Sequence, residues 1–164
     1  MNFLEVSLIC STLLCTLVTG FTLLYAVVIM PGLSKLDDKE FIRAFQLTDS
    51  VIQDNQPLFI LIWLGSVISV VGAILSSIIS VGLPEAWLIV FVGVVYLLAV
   101  QGITLSVHLP LNNRIKKINI EKTDHQMLSV ERGKFETRWN FFNNIRTGIS
   151  FSVSLTLLLI IALQ

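Results

Sequence analysis

Four polar residues of one apolar stretch, Gln101, Thr104, His108 and Asn112, fall at i, i+3, i+7 and i+11, so a helix carries them on one face. A second run puts Trp139, Asn143, Arg146, Thr147, Ser150 and Ser154 along one side of another helix. Thr12, Thr16 and Thr19 form a third stripe. An imidazole can take or give a proton near neutral pH. A guanidinium with the amides of Asn112 and Asn143 can stabilise a developing oxyanion. Trp139 and Tyr25 are flat faces for a planar ring. Each residue also has a plainer reading. Hydroxyls in apolar helices mostly let backbones approach, an arginine at a helix end can snorkel to lipid phosphates, and Asn112 and Asn113 can cap a helix after Pro110. Convergence distinguishes the set, because buried polar groups need partners. A polar pocket is expected around His108, Asn112, Asn143 and Arg146, with Gln53 or Tyr25 at its edge and Gln101, Thr104 and Trp139 along its walls.

Other chemistries lack their residues. Cys10 and Cys15 are the only cysteines, and their spacing sets them on different faces of one helix, so they do not pair. They read as small packing or lipid-facing residues. No cluster of His, Cys and carboxylate supports His108 as a metal ligand, with His125 away in a loop. No phosphate loop or Ser-His-Asp set occurs, and no cofactor is implied. Basic residues interleaved with acids suit anionic lipid headgroups better than nucleic acid.

These residues sit on elements that only a bilayer accommodates. Of 164 residues, 54% are hydrophobic and 13% charged, with a mean hydropathy of +0.83. Residues 1–164 make one domain with four apolar spans, about 6–30, 58–79, 86–107 and 147–163. The last span extends back as a helix through Trp139. A tight turn, Val81-Gly82-Leu83-Pro84-Glu85, joins the second and third spans. All 11 basic residues lie in the two long links, residues 31–56 and 109–146. Basic links stay cytoplasmic, so both termini and the Pro84 turn are expected outside, in a plasma membrane. Asp37-Asp38-Lys39-Glu40 reads as a capping box. Phe41, Phe45, Thr48 and Ile52 then recur at helical spacing, predicting a short amphipathic cytoplasmic helix over about 38–52 with Lys39 and Arg43 exposed. Pro110 is expected to interrupt the third stripe and free backbone groups near His108. The fold class is an all-α integral membrane four-helix bundle.

At these positions the sequence resembles the anthrone-oxygenase-like family of small four-span membrane proteins. The matching pieces are Tyr25 with Met30-Pro31-Gly32-Leu33; Asp49-Ser50-Val51-Ile52-Gln53 followed by Pro57-Leu58-Phe59; Thr104 with His108-Leu109-Pro110-Leu111-Asn112-Asn113; and Trp139 with Asn143-Asn144-Ile145-Arg146-Thr147. Four pieces in register cover nearly the whole chain. The family usually has Asn at the position of His108, Asn-Pro at Gln56-Pro57, His at Asn144 and Trp at Phe142. The resemblance implies a cofactor-independent oxygenase, an oxidoreductase acting on a lipophilic phenolic or quinol-like aromatic molecule that enters from lipid. There His108 would take the proton, Arg146 would hold the oxyanion with Asn112 and Asn143, and Tyr25, Gln53, Gln101, Thr104 and Trp139 would contact the substrate. The alternative is a non-catalytic membrane protein, an assembly or accessory subunit or a lipid or small-molecule binder, whose polar cluster is structural. Membrane lipid is a partner under either reading, and a homo-oligomer is compatible with both.

Overall fold

The computed structural model describes residues 2–54 and 56–163. They form five helices, and no strand occurs among them: α1 (Phe3–Leu33), α2 (Asp38–Gln53), α3 (Pro57–Val81), α4 (Leu83–Lys116) and α5 (His125–Ala162). Helices α1, α3, α4 and α5 are long and apolar enough to cross a membrane. Between 22% and 33% of their most apolar stretches is buried inside the bundle. The remaining Leu, Ile, Val and Phe surface therefore needs an apolar surround, and lipid supplies one.

Small residues bring the helices together. Ser7, Ser11, Cys15, Thr19 and Thr22 form the inward face of α1. The hydroxyls of Ser11 and Thr19 donate to the carbonyls one turn back at 2.7 and 2.8 Å, so they cost no unsatisfied polar group. Thr19 also bonds Ser150 of α5 at 2.6 Å. The expected stripe Thr12, Thr16, Thr19 is thus corrected: Thr16 is exposed and Thr12 half-buried. Bonding to their own helix carbonyls satisfies both hydroxyls without a neighbour. Cys15 packs in the core and Cys10 faces outward.

Helix α1 packs against α3 and α5, and α4 closes the ring between them. The α3–α4 turn rests on Gly82, whose φ of +82° and ψ of 161° suit glycine. The two helices stay close through Gly93, where a Cβ would lie 2.7 Å from the Ile74 side chain. Tyr96 then donates to Ser66 at 2.7 Å, and beyond that bond α3 and α4 separate.

Both long links fold onto the charged end of the bundle. Asp37 caps α2 by accepting the Glu40 N–H at 2.8 Å, one half of the expected box. The inward residues of α2 are Phe41, Ile42, Phe45 and Asp49, while Thr48 is exposed and Ile52 half-buried. The buried stripe is therefore rotated from the expected one, and it carries a carboxylate inward. Lys39 is half-buried and Arg43 exposed, both bonded to Glu121 of the second link. Gln46 donates to the carbonyls of Ile115 and Ile118 at 2.9 and 3.0 Å, closing the C-terminal turn of α4. Arg132 of α5 reaches the carbonyls of Ser34 and Leu36 at 3.0 and 2.8 Å and stacks over Phe41.

Helices α1 and α4 run through their internal prolines rather than breaking. Five-residue turns at Tyr25–Ile29 and Thr104–His108 precede Pro31 and Pro110. The Met30 N–H bonds the Tyr25 carbonyl, and the Leu109 N–H bonds the Thr104 carbonyl, each one residue further back than in an α-helix. A wide turn absorbs the register shift that a proline ring forces on the preceding carbonyl. Tyr25, Thr104 and His108 all sit in these wide turns.

Candidate functional site

A cavity of about 310 Å³ lies between the two wide turns, where α3 and α4 have parted. Its walls are mostly apolar. Phe59, Ile62 and Trp63 come from α3, Leu105 and Leu109 from α4, and Phe21 and Tyr25 from α1. Leu105 and Leu109 are 52% and 42% exposed, so two of the lining residues also stand on the outer surface of the bundle.

Polar groups enter in three sets. In the first, Arg146 donates from Nε and Nη2 to the Asn143 side-chain oxygen at 3.0 and 2.9 Å, and from Nη1 to the Thr104 hydroxyl at 3.1 Å. Asn143 is fully buried and donates in turn to the Thr22 carbonyl at 3.1 Å. In the second, Asp49 accepts from the Asn112 amide at 2.7 Å and from the Gln53 amide. The Asn112 oxygen accepts the Trp139 indole N–H at 2.9 Å. Burial holds the Asp49 carboxyl above the usual carboxylate range, opposed by the bonds from Gln53 and Asn112 and by the charge of Lys116. The third is His108 alone. It is buried, lines the cavity, and neither ring nitrogen makes a well-formed hydrogen bond; the Phe142 backbone acts on it without reaching that geometry.

Trp139 joins the three sets. Its ring lies edge-on to His108 at 4.9 Å, 5.4 Å from Tyr25 and 5.7 Å from the Arg146 guanidinium. Phe45 and Phe135 pack behind it.

Of the expected site residues, His108, Asn112, Arg146, Tyr25, Gln53, Thr104 and Trp139 line the cavity. Asn143 stands behind Arg146 rather than in the wall. Gln101 is a correction. It is not among the lining residues, and its amide donates to Tyr96 at 2.8 Å. The cause is the wide turn at Tyr96–Gln101, which brings residues five apart onto one side of α4. A second correction concerns connectivity. Arg146 bonds neither His108 nor Asn112; of the acceptors expected for it, an Asn amide oxygen, that of Asn143, is used, joined by the Thr104 hydroxyl, and the carbonyls near Pro110 are not. Asp49 is the residue that sequence reasoning missed. It falls one turn beyond Phe45, so the buried stripe pointed to it, but in the sequence it stands out only among the residues that carry the family resemblance.

A family model described as anthrone oxygenase matches residues 50–156, well over half of the chain. No curated protein and no solved structure matches it.

Proposed function

The chain belongs to the anthrone oxygenase family, and from that membership we propose that it oxidises a lipophilic phenolic or quinol-like ring with dioxygen, using its own side chains and no metal or flavin. The observation that carries this reading is the unpartnered imidazole of His108 in a cavity that Arg146 also lines. A buried base without a partner, beside a cation and next to flat aromatic walls, suits removal of a proton from a ring that becomes an oxyanion. For an anthrone the balance is complete. His108 takes a proton from the ring CH₂, and the electrons move onto the carbonyl oxygen at Arg146. The electron-rich ring reduces dioxygen, a C–O bond forms, and the hydroperoxide recovers the proton. Loss of the second C–H proton with cleavage of the O–O bond leaves the quinone carbonyl and one water.

The cavity is at the small end of the roughly 300–1,000 Å³ typical of small-molecule pockets. The exposure of Leu105 and Leu109, which also line the cavity, supports entry from lipid. Confinement of the 11 basic residues to the two long links supports a cytoplasmic position for the pocket, with both termini outside.

The competing reading is a non-catalytic subunit or lipid binder. The Asn143–Thr22 and Thr19–Ser150 bonds favour it, since they only tie α1 to α5. An imidazole in the cavity wall without a well-formed hydrogen bond favours the enzyme. The test is dioxygen consumption and quinone absorbance with an anthrone and the purified protein in lipid nanodiscs, read against uncatalysed autoxidation. Catalysis that falls at least about a hundredfold in His108→Ala is expected. A wild-type rate equal to autoxidation sinks the enzymatic reading.

A further inference from the structure

Asp49 and Arg146 line the same cavity, yet they form no ion pair with each other. Each is held in place by neutral partners instead. Asp49 takes one amide N–H on each oxygen, from Asn112 and Gln53. Arg146 gives three donors to Asn143 and Thr104. A carboxylate has about four acceptor sites and a guanidinium five donors. Both groups therefore keep hydrogen-bonding capacity that the protein leaves unused. A buried charge is costly without hydrogen bonds, so each group is held by neutral partners, and its remaining donor or acceptor sites are open to a ligand in the cavity. Tyr25, His108 and Trp139 line the same cavity, and their rings are apolar faces against which a flat molecule can pack.

We propose that Asp49 is the specificity-determining residue of this cavity: it accepts a hydroxyl hydrogen from one edge of the ring whose carbonyl or oxyanion lies at Arg146. This assignment rests on the reading of the pocket as an aromatic-substrate site and adds the specificity element to it. Asp49 does no chemistry on the ring. It is the acceptor that distinguishes a hydroxylated ring from a bare one, because only a donor satisfies its free lone pairs. A site built to bond a hydroxyl rejects the analogue that lacks it, since the buried acceptor is then left unpaired. Asn112 and Gln53 are positioning residues: they fix the direction of the carboxylate, and Trp139 fixes Asn112.

The test compares binding of two non-reacting probes, unsubstituted anthraquinone and β-hydroxyanthraquinone, whose hydroxyl sits on an outer ring carbon away from both carbonyls. Binding is read by quenching of tryptophan fluorescence in nanodiscs, with empty nanodiscs correcting for partition, at a pH that keeps the phenol protonated. Wild type is expected to favour the hydroxylated probe by about tenfold or more, as for a hydrogen bond to a charged group. In Asp49→Asn that preference should shrink to within about threefold of unity. Gln53 can turn its amide to suit the new side chain while Asn112, held by Trp139, keeps donating to the oxygen, and a melting curve checks folding. Asp49→Glu, which keeps both charged acceptor oxygens where Asn keeps one neutral one, should retain a preference for the hydroxylated probe. A wild-type preference near unity, or one that survives in Asp49→Asn, overturns the assignment. Because neither probe is oxidised, the result is independent of whether the protein is an oxygenase. Selective binding without turnover of any anthrone would refute the oxygenase and leave the Asp49 selection standing.

Discussion

Replacing Arg146 by lysine keeps the charge and removes the fork. In the native site Nε and Nη2 both point at one oxygen of Asn143, and Nη1 reaches Thr104. A lysine ammonium can satisfy one of these acceptors along its shorter reach, but not both from a fixed plane. The Asn143 side chain is fully buried, and no other donor is directed at its oxygen. If the ammonium follows Thr104, that oxygen is left unsatisfied at a cost of about 1–3 kcal/mol. If it follows Asn143, the Thr104 bond is lost, worth about 1 kcal/mol or a little more. Contact between the guanidinium and the Trp139 face adds roughly 0.5–1 kcal/mol to the loss in either case. The expected destabilisation is therefore about 2–3 kcal/mol. By the scaling for soluble domains of this size, that lowers the melting temperature by roughly 4–12 °C. Intrinsic tryptophan fluorescence in detergent follows the transition, with Trp139 itself at the site. An Arg146→Lys variant that melts within about 1 °C of wild type would show that only the charge matters, as for an arginine snorkelling to phosphate, and would refute the organising role given to the fork.

Three further outcomes are expected. Burial raises the Asp49 carboxyl above its ordinary 3.8, so the folded protein holds that proton more tightly than the unfolded chain; the stabilising contribution is present below about pH 4 and is lost as pH rises through the folded value. Asp49→Asn should consequently melt higher than wild type near neutral pH, with the gap closing on acidification, and a pH-independent gap would count against the burial argument. Gly82→Ala forces a side chain into a φ of +82° and should cost about 1–3 kcal/mol, read as a lower melting temperature; no change would mean that the turn relaxes. In a Cys10→Ala, Cys15→Ala background, Glu85→Cys should react with an impermeant maleimide from outside the cell, and labelling confined to the cytoplasmic side would reverse the proposed orientation.

The spans and the tight turn were legible because bilayer thickness sets helix length and glycine marks the reversal. What composition could not give was the path of the helices through proline. Pro110 read as an interruption of the polar stripe, whereas α4 widens by one residue at Thr104–His108 and continues to Lys116. A stripe counted at strict α-helical period is therefore displaced beyond each wide turn. That is why Gln101, in register on paper with Thr104 and His108, turns toward Tyr96 instead. The prolines are the visible signal for two of the wide turns. For the third, at Tyr96–Gln101, no proline follows and the sequence offers no equivalent mark.

The missed carboxylate follows from a different limit. Periodicity assigns a face by hydrophobicity, and an acid on the apolar face of α2 is scored as noise. Yet the helix that buries Phe41, Ile42 and Phe45 must bury whatever stands one turn further on, and that is Asp49. Its partners come from two directions, Gln53 on the same helix and Asn112 on α4. Only the second is beyond the reach of sequence, because it depends on α4 continuing past Pro110 far enough to face α2. The wide turn at Tyr96–Gln101 displaces Gln101 from the site, and a separate one at Thr104–His108 lets α4 carry Asn112 to Asp49. Two backbone irregularities of one helix thus decide which expected residue leaves the cavity and which unexpected residue is held in it.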